Sequence, residues 1–213
     1  MELYQHMGMK RIVVIASGRG SNFQAIIDRV CDGTIPAQIT RLITDNPSAY
    51  AIKRAEHHNI PVSVINYSDY SAREDYNQAL EKAMTECRAD LFVLAGYMRL
   101  LKPETVRTFA GQMINIHPAL LPSFSGLHAQ QQALDYGVKI AGCTVHFVDE
   151  GMDTGPIILQ YPVVVLNGDT EASLAARIME CEHLALPQAV KLFCEDRLEI
   201  IGRKVIINED RKE

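Results

Sequence analysis

The chain has 213 residues, a net charge of −5, an apolar fraction of 47% and a charged fraction of 22%, an ordinary water-soluble composition at a size that can bury a core without staples. The negative balance argues against sequence-independent nucleic-acid binding, which draws on a basic surface. It leaves room for a small anionic ligand held by backbone N–H groups. The five cysteines are widely spaced with no C-x-x-C pair, which suggests free thiols and neither a disulfide framework nor a cysteine zinc site. Met1 to Arg11 is polar and lacks the apolar region of a signal peptide. No run approaches the roughly 18 apolar residues of a membrane span. The expected location is the cytoplasm, with no membrane partner.

The first half alternates short β-branched runs with amphipathic segments. Arg11 to Ala16 reads as a buried strand, and Asn22 to Cys31 places Phe23, Ile26, Ile27 and Val30 at helical spacing. Gln38 to Thr44 is a second strand, Ala49 to His58 a helix, Pro61 to Ile65 a third strand and Ser71 to Cys87 a longer helix. Leu91 to Ala95 is apolar throughout, the mark of a strand buried on both faces of a parallel sheet. The pattern then changes. Pro103 to Phe109 is a short helix, Met113 to Ile116 a short strand, and His117 to His128 an ordered loop. Ile140 to Val148 and Ile157 to Val165 read as antiparallel strands joined by the polar turn Asp149 to Gly155. Thr170 to Phe193 is a long helix that Pro187 is expected to kink, and Glu199 to Ile207 adds one or two edge strands. The expected fold is α/β: a Rossmann-like open sheet, parallel in its N-terminal half, with an antiparallel C-terminal extension and helices on both faces. One domain over residues 10–208 is expected, with tails at 1–9 and 209–213, the latter charged.

Ser17-Gly18-Arg19-Gly20-Ser21-Asn22 sits where the first strand turns into the first helix. Glycines let the backbone approach a ligand, and the helix start offers unpaired N–H groups, which suits a monophosphate. A dinucleotide fingerprint would want glycine where Phe23 stands, with Asp45 as its ribose acid; a plain tight turn capped by Ser21 or Asn22 is the third reading. In Ile114-Asn115-Ile116-His117-Pro118, strand alternation puts Asn115 and His117 on one face. A carboxamide donor beside an imidazole is what acyl transfer needs as the carbonyl oxygen gains charge. Taken alone, the pair also fits a loop cap and a packed structural histidine. Asp153 lies between glycines in a tight turn, where aspartates usually bond the backbone; near His117 its carboxylate would raise the imidazole pKa. His146 alternates within an apolar strand and fits a packed core histidine. The histidines show no metal-binding spacing, and no metal is expected.

Four blocks occur in order: Ser17 to Asn22, Leu94-Ala95-Gly96-Tyr97-Met98-Arg99, Asn115 to Pro122, and Val145-His146-Phe147 leading to Met152-Asp153-Thr154-Gly155-Pro156. From about Lys10 to Leu198 the chain resembles the phosphoribosylglycinamide formyltransferases, folate-dependent enzymes of de novo purine synthesis. The resemblance implies two small-molecule substrates, 10-formyltetrahydrofolate as formyl donor and glycinamide ribonucleotide as acceptor. It implies that Asn115 and protonated His117 stabilise the oxyanion, and that Asp153 holds His117 and relays the amine proton through water. Gly20, Ser21 and Asn22 would hold the substrate phosphate and Glu182 the ribose. Met98, Arg99, Leu100 and Leu101, with Val148, Asp149, Glu150, Gly151, Met152 and Asp153, would line the folate pocket. Arg73 would meet the folate glutamate tail, and the Leu121–Pro122 bond would be cis. The chain would act as a monomer or homodimer, between which the sequence does not choose. It departs from the family pattern at Ala119, Ser123-Phe124-Ser125 and Gln130, beside the site but not at the three catalytic positions.

Overall fold

The computed structural model describes residues 9–209. The expected tails fall outside these residues except for Met9 and Glu209. In chain order the elements are β1 (Lys10–Ile15), α1 (Ser21–Cys31), β2 (Ala37–Thr44), α2 (Tyr50–His57), β3 (Val62–Val64), α3 (Arg73–Cys87), β4 (Leu91–Leu94) and α4 (Pro103–Thr108). They continue with β5 (Met113–His117), α5 (Ala129–Tyr136), β6 (Ile140–Phe147), β7 (Ile157–Val164), α6 (Glu171–Cys194), β8 (Leu198–Ile201) and β9 (Lys204–Ile207). Most bounds lie within a residue or two of the expected ones. Helix α5 has no counterpart among the expected elements; it carries just two buried residues, Ala129 and Ala133, and so lacks a clear apolar stripe. Pro187 does not break α6, which runs through it as one helix.

Among the described residues the strands form one sheet, in the order β3-β2-β1-β4-β5-β6-β7-β9-β8. The pairs β3·β2, β2·β1, β1·β4 and β4·β5 are parallel. The direction changes at β5, which pairs antiparallel with β6, and β6 pairs antiparallel with β7. The expected parallel half and antiparallel extension are therefore both present, with β8 and β9 as the edge hairpin.

Alternation along β1 divides the core. Ile12 and Val14 pack with Phe23, Ile26, Leu174 and Ile178, from α1 and α6, on one face. Val13 and Ile15 pack with Tyr76, Leu80, Met84, Val106 and Phe109, from α3, α4 and the residue after α4, on the other. Helices thus cover both faces, and β4 is buried on both sides, as its unbroken apolar run requires. The chain leaves β1 outward to β2 and β3, then returns across to β4. That reversal puts the carboxyl ends of β1 and β4 side by side with their following segments on opposite faces, the place where open α/β sheets bind ligands. Phe92 is fully buried beneath this point, its ring 4.9 Å from that of Phe109. Phe92→Ala is expected to cost roughly 3–5 kcal/mol, read as a shift of the urea midpoint at unchanged slope.

Candidate active site

Asn115 and His117 lie on one face of β5, as alternation requires. The antiparallel register sets His146 opposite Asn115 and Thr144 opposite His117. Burial pushes the His146 pKa below 6.5, so its ring is neutral at neutral pH. Its Nδ1 is 2.8 Å from the Phe147 carbonyl oxygen and donates to it, which leaves Nε2 as an acceptor. Asn115 Nδ2 donates to that Nε2 at 3.2 Å. The neighbouring ring thereby fixes which end of the Asn115 amide is which, and one amide hydrogen remains for a ligand.

His117 is 5% exposed. Its Nε2 is 2.8 Å from the Phe124 carbonyl oxygen and its Nδ1 is 3.3 Å from Asp153 Oδ2. Both partners are acceptors, and the contact with Asp153 is an ion pair when the ring carries a proton on each nitrogen. Asp153 therefore does reach His117. It also comes within 3.9 Å of His146 Nε2 through Oδ1, and its Oδ2 accepts from the Gly126 N–H at 2.8 Å.

The turn that delivers Asp153 is tightly built. Asp153 itself has φ +56°, a left-handed conformation that aspartate tolerates better than most residues. Asp149 Oδ1 accepts from Thr154 Oγ1 at 2.6 Å and from the Gly151 N–H at 3.1 Å. A Cβ on Gly151 would stand 2.0 Å from Thr154 Oγ1, and one on Gly155 1.7 Å from the Phe147 carbonyl oxygen. Glycine is required at both places for the turn to close.

Asn115, His146 and Asp153 face a cavity of about 730 Å³. Arg73, Arg99, Leu100, Leu101, Val148, Asp149, Glu150, Gly151 and Met152, all expected at the folate pocket, line it too. Met98 lies instead on a smaller adjoining cavity of about 260 Å³, shared with Arg73, Arg99 and Leu100. His117 does not line the large cavity; it stands behind Asp153. Asp45 is not free to serve as a ribose acid, because it is ion-paired to Arg99 at 2.6 Å.

The glycine-rich turn forms a separate group. Gly20 is the N-cap of α1, with φ +68°, and no side chain caps the helix. The reading of a plain turn capped by Ser21 or Asn22 does not hold, because both lie inside α1, and Asn22 is turned to α6, where its Nδ2 donates to Glu182 Oε2 at 2.8 Å. The carbonyls of the turn are drawn away from the helix start. Ser17 O accepts from Asn46 Nδ2, Gly18 O from the Ala51 N–H, and Arg19 O from Arg54 Nε at 2.9 Å. A Cβ on Gly20 would sit 2.8 Å from that of Ala51, so α2 packs directly on the turn. The uncapped N–H groups of α1 and the partial positive charge of its end are left for an anion. Asn22 Oδ1 is buried with no hydrogen-bond partner among the described residues.

A family model for formyl transferase matches residues 10–190. The chain belongs to the formyl transferase family. It is 42% identical over 183 residues to the phosphoribosylglycinamide formyltransferase of Bacillus subtilis, covering 86% of this chain and 94% of that one. It is 46% identical over 185 residues to the trifunctional purine biosynthetic protein adenosine-3 of Drosophila melanogaster, covering 86% of this chain and 14% of that protein. This chain therefore spans only a small part of the trifunctional relatives. The crystal structure of glycinamide ribonucleotide transformylase 1 from Symbiobacterium toebii superposes with a TM-score of 0.94 at 45% identity, over 98% of this chain and 99% of that one.

Two residues around this candidate site receive no role from the sequence pattern. His146 looks like core in sequence; only the strand register, which sets it across from Asn115, shows its work. Arg54 carries no local signal, since its contact with the turn depends on how α2 docks. Glu182 was expected, and its environment adds a consequence. Burial raises its pKa above 4.5, only partly opposed by Asn22. A raised carboxyl holds its proton more tightly folded than unfolded, so stability falls as pH rises through the folded value. Glu182→Gln is expected to melt higher than the parent at neutral pH, with the gap closing as pH approaches 4.5. Differential scanning calorimetry across that range checks it; a lower melting point at neutral pH would refute the cost of the buried charge.

Proposed function

We propose that this chain transfers the formyl group of 10-formyltetrahydrofolate to the amine of glycinamide ribonucleotide. The His117–Asp153 contact at 3.3 Å, beside a cavity that also exposes the Asn115 amide, carries this reading. The ribonucleotide phosphate binds the uncapped start of α1 at Gly20, Ser21 and Asn22. Its ribose hydroxyls meet Glu182 and the unpartnered Asn22 Oδ1. The folate lies in the 730 Å³ cavity.

The amine attacks the formyl carbon and a tetrahedral oxyanion forms. The free amide hydrogen of Asn115 donates to that oxygen, and protonated His117 adds positive charge behind it. Asp153, held at His117 and at the Gly126 N–H, takes the amine proton through a water. The intermediate then breaks its bond to the folate nitrogen, which gains a proton as the amine has lost one. His146 holds the Asn115 amide in the donating orientation.

Formyl transfer from 10-formyltetrahydrofolate to glycinamide ribonucleotide is the decisive assay. Formate release at full rate without the ribonucleotide would overturn the acceptor. Asp153→Asn is expected to lower kcat about a thousandfold or more while both substrates still bind, since its role lies in the transition state. Asn115→Ala should lower kcat by about 10²–10³.

A further inference from the structure

The segment from Tyr97 to Leu101 borders the proposed folate cavity, yet burial anchors only its ends. Tyr97 and Leu101 pack on the core, whereas Met98 is 69% and Leu100 54% exposed. Hydrophobic burial therefore does not fix the middle of the segment, and polar tethers must. There are three. The Met98 N–H donates to Ser17 Oγ at 3.1 Å, and Arg73 Nη2 donates to the Leu100 carbonyl oxygen at 3.3 Å, both near solvent. The third joins charges: Arg99 Nε donates to Asp45 Oδ2 at 2.6 Å.

That third tether is unlike the others. The Asp45 side chain is 4% exposed, at the carboxyl end of β2, two strands away from the β4 segment that it holds. The Arg99 guanidinium lies over the Tyr67 ring, its Cζ 3.6 Å from the ring centroid. Tyr67 is in turn packed edge-on against Tyr76, whose hydroxyl is 2.7 Å from that of Tyr97. The guanidinium is thus held between a buried carboxylate and an aromatic face, with its outer side partly open to solvent. A buried carboxylate that lost its arginine would be left uncompensated, so the segment cannot swing away without a large penalty.

We propose that Asp45 and Arg99 are positioning residues: their ion pair latches the 97–101 segment in the conformation that binds folate. This rests on the reading of the 730 Å³ cavity as the folate site. Asp45 touches neither cavity, so it acts only through Arg99. Among the described residues, the side-chain hydrogen bond of the pair joins Asp45 and Arg99 to each other and not to the glycine-rich turn.

Asp45→Asn tests it in the full chain. If loss of the latch leaves about a tenth of the molecules with the segment in place, the KM for 10-formyltetrahydrofolate rises about tenfold, with kcat and the KM for glycinamide ribonucleotide each changed less than about threefold. Hydrogen exchange supplies an arm that needs no substrate. The amides of residues 97–101 should exchange faster in the variant, while those of β4 stay protected. Unchanged exchange at 97–101 overturns the latch. Faster exchange with an unchanged folate KM overturns its role in binding. A general loss of kcat, or equal rises in both KM values, would mark a merely structural pair. Should Asp45→Asn not fold, Arg99→Gln breaks the pair from the partly exposed side and carries the same exchange expectation. A parent enzyme inert with folate would sink the functional reading instead, and the exchange arm would still decide the latch.

Discussion

The reversal of strand order between β1 and β4 is the constraint on which the site depends. At this point alone of the parallel half, where the strand order reverses, two hydrogen-bonded neighbours send their following segments to opposite faces and leave a crevice between them. Here the gap is bordered by the glycine-rich turn after β1 and the 97–101 segment after β4. Ser17 sits at the seam. Its N–H donates to the Gly96 carbonyl oxygen, its Oγ accepts from the Met98 N–H, and its own carbonyl accepts from Asn46. One small polar residue therefore joins the two sides of the crevice with its backbone and its hydroxyl.

A second constraint is the change of direction at β5. Had the sheet continued parallel, the next strand would have come by a crossover and a helix. An antiparallel β6 instead brings His146 level with Asn115 and lets the turn before β7 fold back with Asp153. The strand that bears the amide thus gains both a fixed acceptor for it and a carboxylate for its own histidine. The polar groups so gathered are costly to bury. A neutral His146 and a Glu182 with a raised pKa show the protein holding ionisable groups where water cannot reach them well. The large apolar cores on both faces offset that cost.

How much of this was legible in the sequence follows from the range of each interaction. Runs such as Ile12–Ile15 and Leu91–Leu94 declare buried strands locally, so the parallel half was readable. The shared face of Asn115 and His117 follows from alternation alone, and the glycines around Asp153 announce a tight turn. Helix α5 was not readable because its buried residues are two alanines and Leu134 is its one aliphatic side chain beyond them. The partners of Asn115, of Asp45 and of the Arg19 carbonyl were not readable either. Each depends on a register or a docking between segments far apart in the chain: 31 residues for Asn115 and His146, 54 for Asp45 and Arg99. Sequence pattern names the groups that face inward; it does not say which of them meet.

The departures from the family pattern at Ser123-Phe124-Ser125 bear on this distinction. They fall on the loop that closes over His117 and Asp153, yet that loop meets the pair through its backbone. The Phe124 carbonyl oxygen accepts from His117, and the Gly126 N–H donates to Asp153. Phe124 has φ +56° and Gly126 φ +80°, so what the site demands of this stretch is a path. Side chains can vary where they do not block that path, and Phe124 turns its ring to Tyr136 of α5 rather than to the cavity. Ala119 obeys the same logic, since its carbonyl accepts from Thr144 Oγ1 at 2.6 Å, and Thr144 is the residue opposite His117 in the sheet. The loop can therefore change its side chains while the imidazole and the carboxylate keep their backbone partners. A substitution that alters the path, above all at Gly126, acts on both at once.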